Sequence, residues 1–414
     1  MLNIVYLYIA QISVLVSSLL VYKLILNYYG FEAFSIYSSI KRILSLLFSI
    51  NLLGLSTTLT KYISYYFDDK QKIFYILLSS IVIFSIPYIL FTFFFIFFSK
   101  DVSQILFHTT KFEKFITIFP FIIFSQFIYT LIFSYLRATL NIKYLSLTQI
   151  IILVFVPIIS LLLSANLYNF FLFSAILSIL ILLSLSFSIF KSYFIYFRKN
   201  NNIIKNIKTT LPFILEYSLQ RFPADILLNL LLTLPIIILS HKKNYIVSGL
   251  FAFTITILQI ISYVISPIGT LLLPKTSRAI REKNMYIILK DIKKVVIFVL
   301  FFNIFIIICF VTLGNKIIIH FFSGKISNKN MLINQMSIIY FSIIGYSFFI
   351  SLRSILDALY NKAIVSLILL ISLINFLIFS FFSIKYAFVL SINILGTISF
   401  LLVFRDRKIW QIKN

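Results

Sequence analysis

Apolar runs of about twenty residues follow one another along almost the whole chain, and the polar connections between them are too short to fold alone. About twelve runs can be marked. They cover residues 4–26, 34–58, 73–98, 115–136, 145–165, 168–190, 210–239, 246–271, 294–314, 336–356, 363–383 and 386–404. Each is long enough to cross the hydrocarbon of a bilayer as a helix, the form that satisfies its own backbone in lipid. Loops of roughly 2–25 residues leave no room for a soluble domain. Hydrophobic residues make up 61% of the 414, and charged residues only 11%. A water-soluble fold, a disordered basic tail and a nucleic-acid binder are all excluded by those runs. The expectation is an all-α, multi-pass membrane protein.

The single cysteine, Cys309, falls inside a span and has no disulfide partner. His108, His241 and His320 sit near the ends of different spans without metal-ligand spacing, so no metal or other cofactor is expected. The first run lacks a basic leader and a small-residue cleavage site, and is read as a retained helix.

Lys+Arg number 36 against 11 Asp+Glu, a formal net charge of +25. With the N-terminus inside, the inner connections and the C-terminus hold about 22 basic residues and the outer ones about 9. That asymmetry places both termini in the cytoplasm, although Lys23 runs against it. Most of the positive charge therefore marks the cytoplasmic face.

The polar stretch 191–210 separates two sets of six runs and predicts lobes over 1–200 and 201–414. The halves share weak likenesses in order. SYLRATLNIK at 134–143 matches SILDALYNK at 354–362, and Gly54 and Lys61 match Gly269 and Lys275. A parallel six-helix repeat is the expectation.

Ionisable residues inside spans are costly and usually face a bundle interior or a watery cavity. The second run carries Lys41 and Arg42. Ser35, Ser38, Arg42, Ser45, Ser49 and Ser56 follow at helical spacing and form one polar stripe. Arg42 favours a lumen-lining stripe; for the serines, small-residue packing is the equal alternative. The eighth run has Gln259, Ser262, Ser266 and Thr270 at similar spacing. The seventh carries Glu216, Arg221 and Asp225, with Pro223 expected to bend or break its helix. Arg221 and Asp225 are spaced to pair, either at a central site or as a neutralised bridge. Glu216 has no partner at helical spacing and is a candidate for proton coupling. Arg353 and Asp357, again four apart, end the tenth run and read as structure or gate.

The segments NYYGFEAFSIY at 27–37, LLGLSTTLTKYIS at 52–64, SYLRATLNIKYLS at 134–146, LPFILEYSLQRFPADILL at 211–228 and VSGLFAFTITILQII at 247–261 with LLLPKTSRAIREKN at 271–284 carry a resemblance. In this order they resemble the polysaccharide-export branch of the multidrug/oligosaccharidyl-lipid/polysaccharide exporter superfamily, the bacterial O-antigen and capsule repeat-unit flippases. The resemblance implies two six-helix lobes around a central cavity, as in MATE-like exporters. It implies alternating access in the bacterial cytoplasmic membrane, with movement of an undecaprenyl-diphosphate-linked oligosaccharide from the inner to the outer leaflet, driven by an H+ or Na+ gradient. Polysaccharide polymerase and glycosyltransferases would be its partners. Charge and depth nominate Lys41, Arg42, Arg221 and Arg353 to bind the anionic headgroup, and Glu216, Asp225 and Asp357 for coupling or gating.

A drug/cation antiporter of the same superfamily calls for a lumen rich in acids, which the excess of intramembrane cations disfavours. A lipid II flippase usually has extra helices. A polymerase-type enzyme needs a large outer loop, and an acyltransferase needs a catalytic histidine set against an acid. Neither enzyme feature is present in the sequence. A scaffold leaves the intramembrane charges without a reason.

Overall fold

The computed structural model describes residues 2–66, 68–107, 109–193, 203–241, 245–281, 285–309, 312, 329–360 and 363–405. Among these residues the chain is helical nearly throughout and forms no strand. The long helices are α1 (Leu2–Leu52), α2 (Leu55–Tyr65), α3 (Lys70–Phe97), α4 (Ser99–Phe107), α5 (Glu113–Ile116), α6 (Phe119–Ala138), α7 (Ile142–Ile150), α8 (Val156–Leu163) and α9 (Leu167–Phe190), with the short α5 and a few single turns between them. Then follow α10 (Ile203–His241), α11 (Tyr245–Arg281), α12 (Met285–Cys309), α13 (Lys329–Leu359), α14 (Ile364–Ser380) and α15 (Ile384–Arg405).

Each marked run falls on helix, the ninth as far as Cys309. Eight helices among the described residues are long and apolar enough to cross a membrane, so the chain is a multi-pass membrane protein. That number is below twelve because α1 spans two runs, because two runs survive as shorter apolar stretches, Val247–Gln259 and Ile364–Ser380, and because the run at 336–356, on α13, is not among the eight.

Interruptions in the helices have local causes. The two arms of α1 meet at Gly30, whose φ of 85° and ψ of −178° belong to a region open to glycine alone. A Cβ at Gly30 would meet nothing within 4 Å, so the backbone angle, not crowding, requires the glycine. Between α7 and α8, Ile151–Phe155 widens into a π turn just before Pro157. A proline cannot donate to the helical ladder, and slipping the ladder by one residue absorbs the lost bond. Starts are capped in the ordinary way: the Asp69 carboxylate accepts from Lys72 N at 3.0 Å, and the Asn166 side chain accepts from Asn169 N at 2.8 Å.

The helices gather into two compact units. The first holds Met1–Tyr29, Ile40–Asn229 and Ser240–Asn244; the second holds Gly30–Ser39, Leu230–Leu239 and Tyr245–Asn414. In the first, α6 is the central helix, packed by α2, α3 and α9. Phe127 of α6 stacks on Phe84 of α3 with centroids 3.7 Å apart, and Ser134 donates to the Ser56 carbonyl at 3.2 Å.

In the second unit, α13 packs against α11, α12 and α15. Lipid tails are as apolar as leucine, so helices in a bilayer associate through close packing and polar contacts. The α13–α15 crossing is built that way. A Cβ on Gly345 would stand 2.3 Å from the Ile392 carbonyl oxygen, and one on Gly396 would stand 2.4 Å from Gly345 Cα. Nearby, the Ser347 hydroxyl donates to Asn303 Oδ1 at 2.7 Å and ties α13 to α12. Gly345→Ala is expected to lower stability by about 1–3 kcal/mol, because backbone cannot retreat as a side chain can. Thermal unfolding of the purified protein in detergent would register it as a clear drop in midpoint, and an unchanged midpoint would refute this account of the crossing.

Candidate functional site

The second arm of α1 ends where Leu53 and Gly54 take positive φ, 47° and 74°. The chain turns there and restarts as α2. Such a break frees backbone carbonyls, which in a membrane need donors from the protein itself. Ser218 of α10 supplies one: its hydroxyl donates to the Leu53 carbonyl. The approach is close enough to demand glycine, since a Cβ on Gly54 would lie 2.7 Å from the Ser218 carbonyl oxygen and 3.0 Å from Phe222 N.

A seam of contacts along α10 leads to this joint. Asn206 Nδ2 donates to the Tyr75 hydroxyl at 2.9 Å, and Thr210 shares a hydrogen bond of 2.7 Å with Ser79, both on α3. One turn on, the Phe213 ring lies 4.0 Å from the Tyr62 ring, centroid to centroid, and Tyr217 meets Tyr62 edge-on at 5.5 Å. Positions 206, 210, 213, 217 and 221 share one helix face by the 3.6-residue period.

Two cations meet on Tyr217. Lys61 Nζ of α2 lies 3.9 Å from the ring centroid, and Arg221 Cζ lies 5.2 Å from it. Arg221 Nε also donates to the Tyr217 hydroxyl at 3.3 Å. Arg221 is 5% exposed, whereas Lys61 is exposed. The negative face of an aromatic ring attracts a cation and leaves its charge in place.

Helix arithmetic sets the depths. α10 has 39 residues, about 58 Å at 1.5 Å per residue, nearly twice a hydrocarbon thickness of roughly 30 Å. Arg221 is about 30 Å along the axis from His241, and Glu216 about 37 Å. With His241 set at one interface, that length would carry Arg221, and Lys61 beside it, toward the opposite one, on the side of the α2–α3 connection. Arg42 lies about 18 Å before Gly54 along α1, at a middle depth. Its side chain is 2% exposed. Beside it, Lys41 Nζ is 5.2 Å from the Tyr22 ring centroid. Lys41, Arg42, Arg221, Glu216 and Asp225 all belong to the first unit, at two levels.

Arg353 and Asp357 belong to the second unit and form the ion pair their spacing predicts, at 3.6 Å. Asp225 is half-buried, and Glu216 is exposed. Of the bend or break expected at Pro223, the break does not occur: α10 continues through it, and a break lies in the facing chain at Leu53–Gly54. A proline costs one ladder bond, which a long helix can absorb, while two successive residues of positive φ end the helix outright.

The serine stripe divides between its two expected roles. Ser38, Ser45 and Ser49 donate to carbonyls of their own helix, and Ser35 lies against Gly249, where a Cβ would come within 2.5 Å of the Ser35 Cβ. Packing thus accounts for these serines, and Arg42 keeps its place without them. The side chains of Ser262, Ser266 and Thr270, and the whole of His108 and His320, lie outside the described residues. Tyr62 and Tyr217 went unnoticed in sequence, where Lys61 counted toward orientation and the internal repeat and not as a site residue. The pattern that could reveal them is a basic–aromatic pair, Lys61–Tyr62, seven residues after a glycine helix break.

No protein-family model and no curated protein matches the sequence. Solved structures match along its whole length. An inward-facing multidrug resistance MATE family transporter of the MOP superfamily is similar at a TM-score of 0.74 and 11% identity, over 98% of this chain and 99% of that one. An outward-facing one gives 0.72 and 11%, over 100% and 96%. A MOP superfamily transporter from Pyrococcus furiosus, described as having a binding pocket of reverse polarity that suggests a different function, gives 0.69 and 13%, over 100% and 96%. The chain therefore has the same fold as these MATE transporters, the all-α fold expected from its sequence.

The ring of Tyr217 is expected to hold Lys61 and Arg221 in place. Tyr217→Leu should cost about 1–2 kcal/mol of stability through lost cation–π and ring contacts, and Tyr217→Phe, which keeps the ring, distinctly less. Thermal unfolding of both variants separates the two; equal losses would place the effect on the hydroxyl.

Proposed function

We propose that the chain is a membrane transporter, not an enzyme, and that it moves an undecaprenyl-diphosphate-linked oligosaccharide from the inner to the outer leaflet of the bacterial cytoplasmic membrane by alternating access. One observation carries the reading. Arg42 and Arg221 are buried at 2% and 5% exposure in a unit whose candidate acids, Glu216 and Asp225, are exposed or half-buried. Buried guanidinium groups in a membrane are expensive and suit a ligand that brings negative charge, above all a diphosphate. The MATE-type fold supports the transport cycle, and the lobes 1–200 and 201–414 would be its moving parts. Both termini would face the cytoplasm, as the distribution of Lys and Arg implies.

Lys41, Arg42 and Arg221 would engage the headgroup as it crosses, and Arg353, paired with Asp357, would act as a gate. Glu216 and Asp225 would couple the cycle to H+ or Na+. The lipid tail would remain in the bilayer, with glycosyltransferases supplying the saccharide and a polymerase consuming it.

A second reading, a drug/cation antiporter, has a specific observation in its favour: two of the similar structures are described as multidrug resistance transporters. The two readings differ in the sign of the cargo. Proteoliposomes loaded with fluorescent lipid-diphosphate saccharide or with an organic cation separate them. The expected result is translocation of the lipid and no uptake of the cation; the reverse would overturn the proposal.

Arg42→Ala and Arg221→Ala are each expected to slow lipid translocation by about tenfold or more, the size of losing ~1.4 kcal/mol at a charged contact, at unchanged protein level in the membrane. Normal rates in both would remove the cationic site from the mechanism. Glu216→Gln should flatten the dependence of transport on external pH, and an unchanged profile would assign coupling elsewhere.

A further inference from the structure

The α2–α10 cluster differs from the Lys41–Arg42 level in one respect: its cations come from two helices and lie over one ring. Lys61 and Arg221 stand at most about 9 Å apart, since both lie over the one ring of Tyr217. The Lys61 ammonium has rings, those of Tyr62 and Tyr217, as its described partners. Asp225 is the acid on the same face of α10, one turn beyond Arg221. Glu216 is turned about 100° from Tyr217 around the helix and bears electrostatically on Tyr62.

Two like charges held this close repel each other, and the repulsion is relieved by an anion between them. Charge-assisted hydrogen bonds of about 2.8 Å from each cation would reach the separate oxygens of one phosphate or diphosphate group. Arg221 is buried and pinned by Tyr217, and so is preorganised. Lys61 is exposed on a flexible stem and can close on a ligand. The joint at Gly54 fixes α2 against α10, so the spacing of the two cations is set by backbone contact.

We propose that Lys61, Tyr217 and Arg221 form an oxyanion site of phosphate or diphosphate type at the inner end of α2 and α10, about a half-membrane away from Arg42. It rests on the transport reading for its role, which would be first capture of the headgroup before it reaches the middle of the membrane. It does not rest on that reading for its chemistry.

The test uses the full chain in nanodiscs, with polyprenyl diphosphate in the bilayer and inorganic pyrophosphate in solution as probes, and native mass spectrometry as the measure of binding. Lys61→Gln is expected to weaken binding by about tenfold, and Lys61→Arg to restore it. Lys70→Gln, an exposed basic change one helix away, should leave binding as it is. Displacement of the lipid by pyrophosphate supports headgroup recognition of a lipid. Binding of pyrophosphate alone, lost with Lys61→Gln, supports the same site with a soluble phosphate compound as its ligand. The proposal is overturned if neither probe binds, if Lys61→Gln binds as the parent does, or if Lys61→Gln and Lys70→Gln lose affinity equally. Binding without translocation of any lipid-linked saccharide would instead sink the transport reading and leave the site standing. Translocation with unchanged binding by Lys61→Gln would do the opposite.

Discussion

A carbonyl released inside a bilayer must find a donor within the protein, because lipid offers none. At Leu53 that requirement organises its surroundings. Ser218 has to be at hand, and so α10 has to run against the break. The approach leaves room only for a glycine at position 54. Tyr217, next to Ser218 on α10, and Arg221, one turn on, are carried into the same contact, and Lys61 arrives with α2. The chemistry at this joint is thus a consequence of where one helix stops.

The same molecule handles its intramembrane cations in different ways. Arg353 is neutralised by Asp357 at one helical turn. Lys41 and Lys61 rest over tyrosine rings. A carboxylate partner would cancel the charge that a ligand could use, whereas a ring stabilises it and leaves it positive. The abundance of tyrosine, 25 residues, therefore has a use beyond the interfacial belt where that residue usually collects.

How much could be read in the sequence depended on the range of the interaction. Spans follow from local hydrophobicity, and helix was found at every marked run. The ion pair of Arg353 and Asp357 needed only a four-residue spacing. The site at Tyr217 did not yield to such reasoning, since Lys61 and Arg221 are 160 positions apart in sequence and meet through a joint that no spacing encodes. Pro223 shows a related limit: a proline signals the loss of one bond, and whether the helix then bends or ends is not set by that bond alone.

The π turn at Ile151–Phe155 carries a last consequence. It acts as one residue of slack inside an otherwise regular rod, and every later residue of that span is phased by it. Removing a single residue there would restore a plain α ladder and leave α8 close to its present phase, whereas removing one from the regular turns that follow would rotate the rest of the span by about 100°. In the second case the face that now buries Ser160 would swing away, and Ser164, whose carbonyl accepts from the Tyr29 hydroxyl at 3.0 Å, would lose its register with α1. The wide turn is therefore a place where this span can shorten by one residue without turning what comes after it.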